Sequence, residues 1–288
     1  MIYNSGVNFT VSNSNFINNT GSRGGVICNS GANFRVSNSS FINNTASSGG
    51  GIWSSGASCT VNNSSFINNT ANDYGGAIYH NGGVNFILSN SSFINNTAKG
   101  YGGGAIRNSG AMNFTVSNSE FINNTAPNSD GGAIYNNGAS CIVSNTTFTN
   151  NTATQGVAIY NNDGGSINLT DNEYSEIVSG KTYIYNDGTI ISPVILTVLG
   201  NQTVNGQYGE NVVLFATITA DGASVGGQTL IFNINNTSYS AITNDDGNYT
   251  YNNYTSDFIG VKSVNATYAG ASNITVQNSA ILSNMLLE

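Results

Sequence analysis

The pentad Phe-Ile-Asn-Asn-Thr constrains this chain more than any other feature. It begins at Phe16, Phe41, Phe66, Phe93 and Phe121, and a variant, Phe-Thr-Asn-Asn-Thr, begins at Phe148. The starts step by 25, 25, 27, 28 and 27 residues. A period in that range marks a solenoid or array, in which each repeat buries its apolar face only against its neighbours. Two further features keep their offset from the pentad. A Gly-Gly marker ending in isoleucine stands at Gly24–Ile27, Gly75–Ile78, Gly103–Ile106 and Gly131–Ile134. An alternating run follows it, as in Phe34-Arg35-Val36, Cys59-Thr60-Val61, Phe86-Ile87-Leu88 and Phe114-Thr115-Val116.

Each repeat thus holds three short apolar–polar alternations separated by Gly, Asn and Ser. Period-two alternation in such short runs predicts strands, and no window carries a capped 3.6-residue periodicity. Three strands per repeat, with no helix, suit one rung of a parallel β-helix of about seven to eight rungs. Rungs stack about 4.8 Å apart, so equivalent side chains lie directly above one another. Columns of asparagine can then hydrogen-bond along the axis, and asparagine also accepts the left-handed backbone of sharp bends. One residue type is expected to serve both needs.

The Gly-Gly-Ala-Ile and Phe-x-x-Asn pair resembles the repeat of the polymorphic outer-membrane proteins. With the Asn, Ile and Tyr bias and an Ig-like tail, the chain most resembles the adhesin-like surface proteins of methanogenic archaea. The resemblance implies a right-handed β-helix, a cell-surface location and adhesion. It also implies that an Ig-like segment acts as a stalk.

The charge distribution supports two segments. Charged residues make up only 7% of the chain, and the net charge is −8. Residues 1–160 hold three acids and four bases, whereas residues 161–288 hold eleven acids and two bases. No basic cluster exists, which argues against nucleic acid as a partner. Pro193 marks a boundary between a β-helix over 1–192 and an Ig-like β-sandwich over 193–288. Beyond it the strands lengthen, with turn signals such as Asp221-Gly222 and Gly226-Gly227 between them. Leu214, Ala216, Ile218, Leu230, Phe232, Ile234, Val264, Ala266 and Tyr268 are its expected core. Met1-Ile2-Tyr3-Asn4 already aligns inside a repeat, which suggests a fragment whose parent carried more rungs and a signal peptide. No transmembrane helix is expected.

Cys59 and Cys141 take the inward position of the alternating run three rungs apart, about 14 Å, too far for a disulfide. Cys28 follows the marker isoleucine and is expected to face outward as an exposed thiol. His80, the only histidine, replaces an asparagine of the marker strand, and no second His or Cys is spaced to share a metal with it. No cofactor or metal is expected.

The residue after the marker isoleucine reads Tyr3, Cys28, Trp53, Tyr79, Arg107, Tyr135, Tyr160 and Tyr185. Alternation points this column outward. Exposed rings can stack on sugars or on another protein, so Trp53, Tyr79, Arg107, Tyr135 and Tyr160 form the candidate ligand flank. The competing reading, which weighs more, is that the rings stack on one another and stiffen the sheet. A similar outward column runs through Ile17, Ile42, Ile67, Ile94 and Ile122. Asn-x-Ser/Thr recurs; Asn248 and Asn265 are the favoured glycan acceptors, because those inside the pentad are expected to be locked in ladders.

Asp73 and Asp130 lie in bends two rungs apart, about 10 Å, near the carboxylate spacing of inverting glycosidases. Acid-rich motifs of β-helix lyases are missing, so solvated bend carboxylates are the plainer reading. The expected function is therefore a non-enzymatic cell-surface adhesin that binds glycans or proteins of another cell. A β-helix polysaccharide lyase or glycoside hydrolase using Asp73 and Asp130 is the alternative, and a purely structural surface-layer element is a third.

Overall fold

The computed structural model describes residues 1–162, 164–175, 181–198, 203–207, 211–234, 237–244, 248–255, 260–271, 274–277 and 280–285. Over these the chain is all-β and forms a parallel β-solenoid of right-handed type with about seven turns, followed by antiparallel strands. No helix among the described residues is long and apolar enough to cross a membrane.

The three alternations of each repeat become three parallel sheets. The marker strands pair in sequence from Ile2–Asn4 through Ile27–Asn29, Ile52–Ser54 and Ile78–His80 to Ile184–Asn186. The alternating runs pair from Thr10–Ser12 to Ser166–Thr170, and the pentad strands from Asn15–Ile17 to Glu173–Ser175. A shorter sheet joins Thr45–Ser48, Thr70–Tyr74 and Thr97–Ala98. Register matches the repeat residue for residue: Phe41, Phe66 and Phe93 are Cα partners, as are Ile52, Ile78 and Ile106.

The core is a set of axial columns. Phe41, Phe66, Phe93, Phe121 and Phe148 are fully buried. Successive rings stack at 4.7, 4.8, 4.9 and 5.3 Å between centroids, so the ring spacing is the rung pitch. In the alternating-run column Cys59 and Cys141 are separated by Phe86 and Phe114, which stack on each other at 5.1 Å.

The two asparagines of the pentad divide the work expected of one. The leading residue takes the left-handed bend, with φ of 54° at Asn43, 55° at Asn68 and Asn95, and 53° at Asn123. The trailing residue builds the ladder. Asn96 Nδ2 donates to Asn124 Oδ1 at 3.0 Å and to the Phe66 carbonyl at 2.9 Å. Its Oδ1 accepts from both Nδ2 and the backbone N–H of Asn69, each at 3.0 Å. Every hydrogen-bonding position of this buried carboxamide is filled, which is the condition for polar groups to sit in a core. The Gly-Gly marker divides in the same way. Gly75 adopts φ 57°, and a Cβ there would collide with the Ile78 carbonyl oxygen, while a Cβ on Gly76 would strike the backbone of Gly104 in the next rung.

Beyond Pro193, Val194–Val198 and Asn248–Thr255 each pair antiparallel with Asn211–Ala220, and Thr229–Ile234 pairs antiparallel with Thr237–Ile242 and Gly260–Tyr268. Leu214, Ala216, Ile218, Leu230, Phe232, Ile234, Ala266 and Tyr268 are buried as expected; the side chain of Val264 lies outside those described. These strands also close the solenoid. Ala223–Gly226 continues the marker sheet beyond Ile184–Asn186, and the Asp221 carboxylate accepts from Asn172 N–H and Nδ2 at 3.0 and 2.8 Å. Strand edges and ladder ends that would otherwise stay unpaired are thereby satisfied.

Candidate binding surface

The flank of marker-strand side chains is present, but its ring faces are already occupied. Tyr135 stacks on Tyr160 at 4.9 Å, and Tyr160 on Tyr185 at 4.7 Å. Arg107 breaks the ring series without breaking the stack. Its guanidinium lies over Tyr135 at 4.0 Å and over Tyr74 at 4.9 Å, held by Nε donating to Ser109 Oγ and by a bond to the Tyr101 carbonyl. Tyr74 also stacks on Tyr79 and Tyr101. Tyr79, Arg107, Tyr135 and Tyr160 are accordingly half-buried.

Two members of this column depart from the exposure expected of them. Trp53 is only 9% exposed, with Arg23 placed over its ring at 5.4 Å. Cys28 is 4% exposed, because a short side chain aligned between Tyr3 and Trp53 sinks beneath its larger neighbours. Burial raises its thiol pKa, partly offset by Arg23. Period-two alternation gives the direction of a side chain, whereas coverage depends on what stands above and below it. The isoleucine column on the pentad strands is exposed at Ile17 and half-buried at Ile42, Ile67, Ile94 and Ile122.

A different surface offers unused polar groups. Where each alternating run turns into its pentad strand, a Ser-Asn-Ser-type corner repeats from rung to rung, and the stacked corners form an open axial groove of about 900 Å³. Its floor is closed by a serine ladder. Ser64 Oγ, for example, accepts from the Ser39 N–H at 3.2 Å and donates to the Asn62 carbonyl at 2.8 Å. Its wall carries Asn38, Asn63, Asn90, Asn118 and Asn145, all exposed, with φ of 48, 47, 49, 48 and 46°. Their carboxamides make no hydrogen bond among the described residues. Ser40, Ser65 and Ser92 line the opposite side. The groove is uncharged until the fifth rung, where Glu120 replaces the serine; Asp171 and Glu173 line a smaller cavity of about 200 Å³ at its far end.

This groove was not singled out from the sequence. Its signal is the Ser-Asn-Ser text before the pentads, varied to Asn62-Asn63-Ser64 and Ser144-Asn145-Thr146.

The Asp130 carboxylate accepts from Thr154 Oγ1, Asp73 is half-buried at the end of its strand, and neither lines the groove. Lys181 Nζ donates to the Thr154 carbonyl at 2.7 Å. Among the described residues no group of three His, Cys, Asp or Glu side chains is placed to share a metal ion. His80 is fully buried against Phe86, both ring nitrogens lack a partner, and burial lowers its pKa to about 4. It interrupts the asparagine ladder that resumes with Asn108 Nδ2 donating to Asn136 Oδ1 at 2.7 Å. The three cysteines are free and buried, and burial holds the Cys59 and Cys141 thiols at about 12. Asn248 and Asn265 fall in the strands Asn248–Thr255 and Gly260–Tyr268; their side chains lie outside those described.

Residues 38–55, 63–81 and 118–137 match the model of the Chlamydia polymorphic membrane protein (Chlamydia_PMP) repeat. Each stretch runs from a groove corner or pentad strand towards the following marker strand. No curated protein and no solved structure gave a match.

Proposed function

We propose that this chain is part of a non-enzymatic, adhesin-like protein of the cell surface, and that its solenoid holds extended neutral glycans of another cell along the axial groove. The match to repeats named for membrane proteins supports the location. The observation that carries the binding site is the row of exposed, unpartnered carboxamides from Asn38 to Asn145, set one per rung along a groove whose only charged lining residue is Glu120. Each such contact is weak on its own, and a rigid row of them gains through multivalency. A neutral, hydroxyl-rich polymer matches the donors and acceptors that asparagine and serine present, without needing a counter-charge.

The marker-strand flank supports a second reading, in which a partner protein packs beside Arg107 and Tyr101. Tyr101 is 58% exposed and stacks on the same ring, Tyr74, that Arg107 covers. Sugar stacking on ring faces is disfavoured there, since the faces of Tyr79, Tyr135 and Tyr160 already carry neighbours. We read the strands beyond Pro193 as an Ig-like sandwich acting as a spacer; the antiparallel pairing around Thr229–Ile234 supports that reading.

A glycan array probed with wild type and with the Asn63→Gly/Asn90→Gly pair tests the groove. Glycine keeps the left-handed bend while removing the carboxamide. The double variant should lose binding several-fold, and Asp73→Asn with Asp130→Asn should leave it intact. Release of reducing ends from a polysaccharide by wild type, abolished by those two aspartate substitutions, would replace this proposal with the enzymatic alternative.

A further inference from the structure

We propose that the leading asparagine of each pentad is an N-linked glycan acceptor, filled on alternate rungs. The pentad places two asparagines side by side in sequence and in opposite environments. Asn44, Asn69, Asn96 and Asn124 are fully buried in the ladder. Each is followed by Thr-Ala, so none heads an Asn-x-Ser/Thr sequence. Asn43, Asn68, Asn95 and Asn123 do head one, ending at Thr45, Thr70, Thr97 and Thr125. These four are exposed at left-handed corners, and their carboxamides make no hydrogen bond among the described residues.

The same separation holds in the marker strands, where buried Asn29, Asn108 and Asn136 head no such sequence. Acceptor sequence and solvated corner therefore coincide. The groove corner is less regular: its acceptor sequence is broken at Asn13 by Asn15 and at Asn118 by Glu120. Only the pentad corner keeps it in every repeat. This reverses the expectation that pentad asparagines are inaccessible; the residue in the ladder is the other one.

The chemistry needs a sugar carried on a polyprenyl diphosphate. The carboxamide nitrogen bonds to the anomeric carbon, the bond from that carbon to the diphosphate oxygen breaks, and the lipid diphosphate leaves with the electron pair. The nitrogen releases one proton, and nothing is oxidised or reduced. Geometry then limits occupancy. Phe41, Phe66 and Phe93, two residues before these acceptors, stack at 4.7 and 4.8 Å. A pyranose with its substituents is wider than one such step, so sugars on consecutive rungs collide, whereas those two rungs apart, about 10 Å, do not.

Glycopeptide mass spectrometry on the protein recovered from the surface of the cells that make it, as wild type, Thr70→Ala and Thr70→Ser, tests this. Saccharide adducts are expected on Asn43, Asn68, Asn95 and Asn123 and absent from Asn44, Asn69, Asn96 and Asn124. One molecule should never carry them on both Asn68 and Asn95. Thr70→Ala should abolish the Asn68 adduct and raise occupancy at Asn43 and Asn95, while Thr70→Ser should retain it. Unmodified pentads, or adducts confined to the groove corner, would overturn the assignment. Adducts on consecutive rungs of one molecule would overturn the alternation.

Discussion

Replacing Asn96 by alanine should be among the most damaging single changes to the solenoid, and replacing its neighbour Asn95 among the mildest. Asn96→Ala removes the acceptor of two bonds from Asn69 and the donor of two more, to Asn124 and the Phe66 carbonyl. At about 1 kcal/mol net for each buried hydrogen bond the loss is about 4 kcal/mol. The backbone N–H of Asn96 keeps its bond to Asn124 Oδ1, so the rung is weakened, not detached. Asn95→Ala breaks none of these bonds and adds only left-handed strain, about 1 kcal/mol, which Asn95→Gly should remove. Urea unfolding followed by the fluorescence of Trp53, the single tryptophan, reports on a neighbouring rung, and hydrogen exchange at the Asn69 amide reports on the broken bond itself. Asn96→Ala should lower the midpoint clearly and deprotect that amide. Equal losses at positions 95 and 96, or an unchanged Asn69 amide, would refute the ladder as a stabilising element.

Phe66→Ala should cost about 3–5 kcal/mol, because it removes a fully buried ring stacked on both sides, and Tyr79→Ser about 1 kcal/mol, measured by the same urea titration. His80 gives a pH dependence. Its folded pKa of about 4 lies below the ordinary 6.5, so the unfolded chain takes up the proton first. Its share of stability is intact above about 6.5 and is lost by up to about 1.4 kcal/mol per pH unit as pH falls towards 4. His80→Asn should flatten that part of the profile relative to wild type and raise stability near neutrality by rejoining the ladder. Thiol-reactive probes should leave Cys59 and Cys141 unlabelled in the native protein and label both in urea; labelling without denaturant would contradict their burial.

The rungs were legible because a fixed period puts like residues above like, so the inward column from Phe41 to Phe148 follows from spacing alone. What escaped were properties that depend on neighbours along the axis or on distant parts of the chain. Cys28 points outward as alternation requires, yet its cover comes from residues a whole rung away. The division of labour between Asn95 and Asn96 was hidden for a related reason. Both are asparagine, and only the path of the backbone decides which one turns the corner and which one faces its stacked copies. Asp221 caps Asn172 from 49 positions further along, a contact without any local pattern. The groove was invisible because unsatisfied side chains look the same in a sequence as satisfied ones.

The most direct measurement is the affinity of the intact protein for a neutral glycan that binds it on the array, prepared as a series of increasing chain length and followed by calorimetry. If the groove binds through one weak contact per rung, affinity should climb with chain length until the ligand spans the corners from Asn38 to Asn145, and then level off. The Asn63→Gly/Asn90→Gly variant should flatten the climb. Affinity independent of length, or chains shortened during the titration, would contradict the account of a non-enzymatic rod that holds its partner through repetition.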